Sequence, residues 1–377
     1  MHTSSKIALG VDLSPFTGPL TGIGFYTQKM LDALNPADIS ITGFSPRALT
    51  IPPCKNPCKI ELPPPFIKKI PASLWSPLWR QIFLTKQIQK AKMDLFWSSR
   101  HVLPWTKIPH IPYLLTINDL VWKICPQTMD KKNYYHEKLL MPHSVKNAAA
   151  IICISETTKH DLIRFLHVPE KKIHVTYLAP IHIPSTQPLS AQYQTFHDNS
   201  PFILALGTQE PRKNYRRLIK AYSKLPLTLR EEFKLVIVGK KGWGNTHLTA
   251  LAQELNLKSS VLIYDYLPEA IVSYLLQQAT CLAFPSLYEG FGLPLVEAMA
   301  MGTAIITSNL GAMAEVTQGA AILIDPYSID SIAEGLKTLL QNDSLRQSLS
   351  EKGLKRAQFF SWQKTANQFS AIVRSLI

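Results

Sequence analysis

Residues Phe284 to Ser308 read FPSLYEGFGLPLVEAMAMGTAIITS, and their order decides the fold. A short apolar run, Cys281 to Phe284, stops at Pro285; a turn bearing Gly290 and Gly292 follows, and an apolar segment then starts with Pro294 in its first turn. Proline suits that place because its missing N–H is one that no intrahelical carbonyl would use. Leu295, Val296, Ala298, Met299 and Ala300 continue as a helix with little polar face, broken at Gly302. Strand, glycine turn and helix in that order are the unit of a parallel α/β sheet. Two acids frame the unit, Glu289 before the turn and Glu297 inside the apolar helix. A carboxylate among such neighbours is costly to bury unless donors reach it. Glycines let backbone N–H groups approach an anion, and a helix N-terminus adds partial positive charge. The turn is thus a candidate site for a phosphorylated molecule, with Glu297 accepting from ribose hydroxyls. A plain glycine turn, with the glutamate capping nearby N–H groups, uses the same residues.

Working outward, the second half alternates throughout. Apolar runs at Phe202 to Leu206, Lys234 to Val238, Val261 to Tyr264, Ala304 to Ser308 and Ala321 to Ile324 are separated by helical stretches such as Tyr215 to Ser223 and Pro268 to Gln278. The first half alternates too, with strands expected at Lys6 to Val11, Leu95 to Trp97, Tyr113 to Ile117, Ile151 to Ile154 and Ile173 to Tyr177. Between the halves, PIHIPSTQPLSAQYQTFHDNSP is polar and proline-rich without a period, which reads as a linker. The expected organisation is therefore a Rossmann-like domain over 1–180, a linker over 181–200 and a second Rossmann-like domain over 201–359, with a helix over about 360–377 packing back on the first. Two doubly wound halves make a cleft between them the expected site.

Ligands meet such sheets at the carboxyl ends of the strands. That rule singles out His101, Asn118, Asp119 and Ser155 in the first half, Ser155 also as a helix cap. After the first strand come Gly18, Gly22 and Gly24, whose spacing is not G-x-G-x-x-G; a ligand-facing loop and a tight turn both fit. In the second half, Phe202 to Leu206 leads into GTQEPRKNYRRL, with Gly207, Thr208, Arg212 and Lys213 just before a helix. Arginine grips phosphate with paired N–H groups and lysine adds a compact charge, so Arg212 and Lys213 read as a diphosphate clamp, with Arg216 and Arg217 solvated. Tyr266, beyond the strand Val261 to Tyr264, is grouped with this side.

The 377 residues are 46% hydrophobic and 18% charged, which fits a soluble globular chain, and no apolar run reaches membrane-spanning length. The opening residues lack a signal-peptide pattern, so a cytoplasmic location is expected. Five cysteines without paired C-x-x-C spacing give no metal framework, and Cys54 and Cys58 are expected in a loop. The net charge of +14 points to a polyanionic partner: nucleic acid, an anionic bilayer or a phosphorylated substrate. Between Ile51 and Ile108, prolines precede basic residues (Lys68, Lys69, Arg80, Lys86, Lys90, Lys92) interleaved with Phe66, Trp75, Trp79 and Phe83. Rings and cations so mixed suit a headgroup surface. Inward-packed aromatics beside wet lysines would give the same pattern. No recognisable recognition helix supports nucleic acid.

GTQEPRKNYRRLIKAY, FKLVIVGKKGWG, FPSLYEGFGLPLVEAMAMGTAIITSNLGAMAEV and AILIDP together resemble the donor-binding half of glycosyltransferase family 4, the retaining enzymes of GT-B architecture. DLFWSSRHVLP, LTINDLVW and ISETTKHDL extend the resemblance through the first half. It implies transfer of a sugar, mannose from GDP-mannose favoured, from a nucleotide diphosphate sugar without a metal cofactor. The acceptor would be a lipid-linked or cell-surface glycan, such as a lipopolysaccharide or O-antigen precursor, and the enzyme would sit peripherally on the inner face of the membrane. Glu289 and Glu297 match the family's E-x7-E pair, implying contact with the donor sugar and the ribose. Backbone N–H groups of Phe291, Gly292 and Leu293 would hold the diphosphate, with Arg212 and Lys213 neutralising it. Two departures stand out. Many members carry His-Asp where this chain has Asn118-Asp119, and asparagine cannot act as a titrating base. The arginine that often follows the glycine at Gly207 is here Thr208. A soluble enzyme acting on small sugars and a non-catalytic nucleotide-sugar binder, the latter motivated by Asn118, share the same motifs.

Overall fold

The computed structural model describes residues 6–63, 78–181, 200–244 and 247–377. They form two compact units. The first comprises Met1–Leu120, Tyr135–Leu178 and Ser361–Ile377; the second comprises Val121–Tyr134 and Ala179–Phe360. Residues Val121–Tyr134 thus group with the second unit, whereas the sequence division at 180 assigns them to the first.

Each unit is built on an all-parallel sheet. The first runs through β1 (Ile7–Asp12), β2 (Ile39–Phe44), β3 (Cys58–Glu61), β4 (Leu95–Ser98), β5 (Tyr113–Ile117), β6 (Ala150–Cys153) and β7 (Ile173–Val175), in spatial order β3-β2-β1-β4-β5-β6-β7. The second uses β8 (Phe202–Leu206), β9 (Lys234–Val238), β10 (Val261–Tyr264), β11 (Cys281–Phe284), β12 (Ala304–Ser308) and β13 (Ile322–Ile324), in order β10-β9-β8-β11-β12-β13. Both orders reverse after the first strand of the unit, so each sheet has one switch point, between β1 and β4 and between β8 and β11. Connections leave the sheet in opposite directions there and open a crevice at the strands' carboxyl ends.

The expected central strands all form, because a strand covered on both faces is a continuous apolar run. β4, β5, β6, β11 and β12 are buried along their whole length. The two additional strands lie toward one edge of the first sheet. β2 alternates buried and exposed positions at its start, and β3 is a four-residue edge strand whose Ile60 is exposed. Cys58 therefore belongs to a strand, not to the expected loop. The terminal helix Trp362–Leu376 belongs to the first unit, where Phe369 packs edge-on against Trp97 with ring centres 4.7 Å apart and Thr365 Oγ1 donates to Tyr177 O at 2.7 Å.

The basic and aromatic run after Ile51 divides. Pro64, Pro65, Phe66, Lys68, Lys69 and Trp75 lie outside the described residues, as does 182–199 of the expected linker. Of the two readings open for this run, Trp79 follows the inward-packed one and Arg80 turns inward with it: Trp79 is fully buried with Nε1 donating to Gln87 Oε1 at 3.0 Å, and the Arg80 guanidinium faces Asp12. Lys86, Lys90 and Lys92 are exposed.

Gly239 shows how closely the loops approach beyond β8 and β9. A Cβ built on it lies 1.9 Å from Gly207 O, a backbone atom with no freedom to retreat. Gly22 has open space in the same position. Gly239→Ala is expected to destabilise the chain by about 1–3 kcal/mol or more, and Gly22→Ala, in a helix, to be neutral or stabilising by up to about 1 kcal/mol. Denaturant midpoints of the two variants check this; equal midpoints would contradict the close approach.

Candidate active site

At the second switch point, two loops converge from β8 and β11. Loop 207–214 carries GTQEPRKN and loop 285–292 carries PSLYEGFG. They are tied together along their length: Leu287 N donates to Arg212 O (2.9 Å), Arg212 Nη1 to Tyr288 O (2.7 Å) and Asn214 Nδ2 to Pro285 O (3.0 Å). Asn214 sits in the left-handed region at φ 63°, reverses the chain into the helix Tyr215–Ser223 and also donates to Pro326 O at 2.7 Å. These loop-to-loop bonds bring Arg212, Lys213 and Glu289 together.

Their charges are matched there. Glu289 Oε1 accepts from Lys213 Nζ at 2.7 Å, and its Oε2 lies 2.5 Å from Arg212 Nη1. The other side of the Arg212 guanidinium pairs with Glu210. Glu210, Lys213 and Glu289 are all buried. Burial by itself would raise the Glu289 pKa, but the charges and hydrogen bonds of Arg212 and Lys213 outweigh it and hold the carboxyl at about 2. Lys213 Nζ also lies 4.8 Å over the Phe284 ring. Gly207, at φ +134°, makes room for this lysine, since a Cβ there would come within 3.0 Å of Lys213 Cε. The Tyr215 hydroxyl donates to Gly207 O at 3.0 Å; burial, then Glu289 and Glu210, push its pKa up. Thr208 follows at the mouth of the same loop, half-buried.

Gly290, Phe291 and Gly292 continue from Glu289 and are all buried. Gly292 takes φ +101° at the N-cap of the helix Leu293–Ala300, a conformation that glycine adopts without Cβ strain. Pro294 occupies the first turn, as its chemistry requires, and no side chain caps this end. The first backbone N–H groups of this helix follow Glu289 within a few residues, and such a helix N-terminus suits an anion. Glu297 points from the same helix and is 4% exposed. Tyr266, by contrast, is 68% exposed and its backbone N–H is held by Asp265 Oδ1.

Residues 121–134 line the back of the Tyr288–Glu289 turn. Val121, Cys125 and Tyr288 form a buried apolar cluster, and Trp243 Nε1 donates to Thr128 O at 2.7 Å.

In the first unit, Asn118 directly follows β5. Its N–H donates to His101 Nε2 (3.1 Å) and its Nδ2 to Ser99 O (3.1 Å). Among the described residues its Oδ1 has no hydrogen-bond partner and can accept from a ligand hydroxyl. His101, expected to face the acceptor, is instead a buried support: accepting at Nε2 places its proton on Nδ1, 3.5 Å from Glu137 Oε1. Burial opposes a charge on the ring; Glu137 and Asp119 favour one and raise its pKa, but a proton on Nε2 would cost the bond to Asn118. Asp119 completes a group in which one atom each from His101, Asp119 and Glu137 lie within 4.8 Å of one another. Ser155, also expected on the acceptor side, is fully buried and committed as the cap of Glu156–Leu166, accepting from Thr158 N and donating to Thr158 Oγ1, both at 3.0 Å. Gly22 and Gly24 open the helix Gly22–Ala33; Gly22 faces open space, whereas a Cβ on Gly24 would meet Leu20 Cδ2 at 2.5 Å.

Sequence reasoning missed Glu210, Asn214 and Tyr215. The string EPRKNY contained them, but each acts through contacts made only in the fold.

The chain is similar to known glycosyltransferases along most of its length. Residues 20–179 match the family model "Glycosyltransferase Family 4" and residues 188–356 match "Glycosyl transferases group 1". The chain is 31% identical over 259 residues to O-antigen chain mannosyltransferase B of Escherichia coli, covering 67% of this chain and 68% of that protein. Among solved structures, sucrose-phosphate synthase from Thermosynechococcus elongatus superposes with a TM-score of 0.76 at 19% identity over 98% of this chain and 99% of that one. HepE from Anabaena, solved with UDP and glucose, gives 0.73 at 16% identity over 98% and 100%. These likenesses show the two-sheet GT-B fold.

The pairing at Glu289 makes a prediction about pH. A carboxyl at about 2 in the folded chain and 4.5 in the reference state contributes stability that is present above pH 4.5 and lost as pH falls toward 2, on the order of 3 kcal/mol. Glu289→Gln leaves buried Lys213 without its carboxylate and Arg212 with Glu210 alone, and is expected to cost about 3–5 kcal/mol at pH 7. It should also flatten the dependence of stability on pH between 2 and 4.5 in denaturant titrations. An unchanged acid limb in the variant would refute the ion pair.

Proposed function

The chain belongs to glycosyltransferase family 4, and from that membership we propose that it moves a hexose, mannose first, from a nucleotide diphosphate sugar to a lipid-linked or cell-surface glycan such as an O-antigen precursor. The observation that carries the reading is the convergence of Arg212, Lys213 and Glu289 with the uncapped helix at Leu293 on a single switch point. Mannose and the O-antigen class are supported by the likeness to the Escherichia coli mannosyltransferase.

In this reading the diphosphate takes hydrogen bonds from the N–H groups of Phe291, Gly292 and Leu293, and its charge is met by Arg212 and Lys213. Glu289 keeps both cations aimed while accepting from donor-sugar hydroxyls, and Glu297 accepts from the ribose. As the glycosidic bond breaks, charge grows on the leaving phosphate, where fixed donors stabilise it without reorganising. The leaving phosphate takes the acceptor's proton in a front-face, retaining transfer. Asn118 contributes a hydrogen bond through Oδ1 in place of a titrating base. The cations, and not a metal ion, supply the charge in this proposal, so chelators should leave turnover unchanged.

Binding of the donor is the direct test. GDP-mannose should raise the melting temperature, since about 2.7 kcal/mol is gained at a hundredfold excess over Kd, and other nucleotide sugars should do so less. Arg212→Ala with Lys213→Ala should lower transfer by at least a hundredfold, because a charge-assisted hydrogen bond contributes about 1.5–3 kcal/mol. Full turnover in the double variant would overturn the clamp, and tight donor binding with no turnover on any acceptor would favour a non-catalytic binder.

A peripheral position at an anionic membrane face belongs to the same proposal. Among the described residues no helix is long and apolar enough to cross a membrane. Exposed Leu78 and Ile82 adjoin exposed Lys86 and Lys90 along one continuous helical stretch. Co-sedimentation with phosphatidylglycerol vesicles should be lost in Lys86→Glu with Lys90→Glu; retention of the double variant on vesicles, or no binding by the parent chain, would remove this part.

A further inference from the structure

The first sheet has its own switch point, between β1 and β4, and its chemistry differs from that of the second. Asp12 ends β1 and Ser14 follows it; Ser98 ends β4 and Arg100 follows that strand. Two guanidinium groups meet at one hydroxyl here. Arg80 Nη2 donates to Ser14 Oγ at 3.2 Å, and Arg100 Nη1 donates to the same oxygen at 3.5 Å. Both of that oxygen's acceptor positions are then taken, which leaves the Ser14 O–H as a donor.

Two carboxylates act on this pair, Asp12 beside Arg80 and Glu137 on the Arg100 side. Asp12 is 1% exposed; its Oδ1 accepts from Ser14 N at 2.8 Å and its Oδ2 lies 3.5 Å from Arg80 Nε. Arg80 is 5% exposed, and its Nε is buried with no hydrogen-bond partner among the described residues. Arg100 is exposed and makes no ion pair among the described residues. Crowding by protein, followed by the charge of Arg80, lowers its pKa, with Asp12 and Glu137 acting in the opposite sense. Two like charges converging on one neutral hydroxyl repel, and an anion bound between their N–H forks would offset that repulsion.

We propose that Ser14, Arg80 and Arg100 form a binding site for an oxyanion, a phosphate group carried by the acceptor. The planar N–H forks of arginine match phosphate geometry, and the serine hydroxyl supplies a further donor. The site is placed where the reaction can use it. Ser99, next to Arg100, accepts from Asn118 Nδ2 through its carbonyl, and its hydroxyl accepts from Thr27 at 2.7 Å. Arg100 and Asn118 are therefore held on the same residue, so an acceptor anchored by its phosphate presents a neighbouring hydroxyl to Asn118 Oδ1. This assignment rests on the transferase reading for its acceptor, but binding of the anion itself does not depend on it.

Two measurements on the full chain test it. Calorimetric titration with inorganic phosphate, and separately with pyrophosphate, should show one site fewer in Arg100→Ala than in the parent chain. Arg100→Lys should retain the site at about tenfold lower affinity. Equal stoichiometry in the parent and Arg100→Ala overturns the proposal. Transfer kinetics then identify the source of the phosphate, using a polyprenyl-diphosphate-linked glycan, the same glycan carrying a phosphomonoester, and the unphosphorylated glycan. Arg100→Ala should raise KM at least tenfold for a phosphorylated acceptor and leave donor hydrolysis unchanged. A rise confined to the lipid-linked acceptor assigns a diphosphate, and one confined to the phosphomonoester assigns a sugar phosphate. An equal rise for the unphosphorylated glycan means that Arg100 is only structural and overturns the proposal. If the parent chain binds phosphate through Arg100 yet transfers to none of the three, the anion site stands and the proposed acceptor class fails.

Discussion

The carboxylate of Glu289, held between Lys213 and Arg212, is the interaction on which the second unit's site depends. A carboxylate buried alone would give up its charge, and two buried cations alone would repel. Together with Glu210 they are neutral, which lets four charged groups stand at the end of a sheet with little exposure. Buried ion pairs contribute little net stability compared with apolar packing, because desolvation offsets the attraction. What this cluster supplies is position: Glu289 orients both cations before any ligand arrives, and the loop-to-loop hydrogen bonds keep it there.

The same topological device occurs twice in the chain. Both sheets reverse their order after their first strand, so both have a crevice at a switch point. Their electrostatics diverge. In the second unit, cations and carboxylates balance and a helix N-terminus supplies neutral donors. In the first, Asp12 and Glu137 act on two arginines whose guanidinium groups share the Ser14 hydroxyl, and the strand ends are braced by neutral hydrogen bonds among Ser99, Asn118, His101 and Thr27. Such a division suits a reaction with one ligand bound for chemistry and another bound for orientation. It also locates part of the chain's positive charge, since Arg80 is turned inward by Asp12 and does not contribute to the exposed basic surface.

Asn118 illustrates how a departure from a family pattern is absorbed. Its backbone and its amide N–H groups are committed to His101 and Ser99, and Oδ1 is left as an acceptor. His101 accordingly acts as a buttress with its ring nitrogens occupied, which explains why a titratable ring close to the strand end is not a base toward a ligand.

By itself the sequence determined the alternation of strands and helices, the two-unit plan and the glycine turn at 290–292, because parallel strands buried on both faces are written as unbroken apolar runs and helix starts obey local chemistry. Ser155 as a cap and Pro294 in a first turn were legible for that reason. Only the tertiary structure decided what depends on distant partners. The pairing of Lys213 with Glu289 joins residues 76 positions apart, and that of Ser14 with Arg80 spans 66. β2 and β3 lack a continuous apolar run because they lie toward a sheet edge, and Trp79 and Arg80 turn inward because Gln87 and Asp12 await them. Periodicity reports which face of an element is buried; which charge meets which is set by strand order, and strand order exists only in the folded sheet.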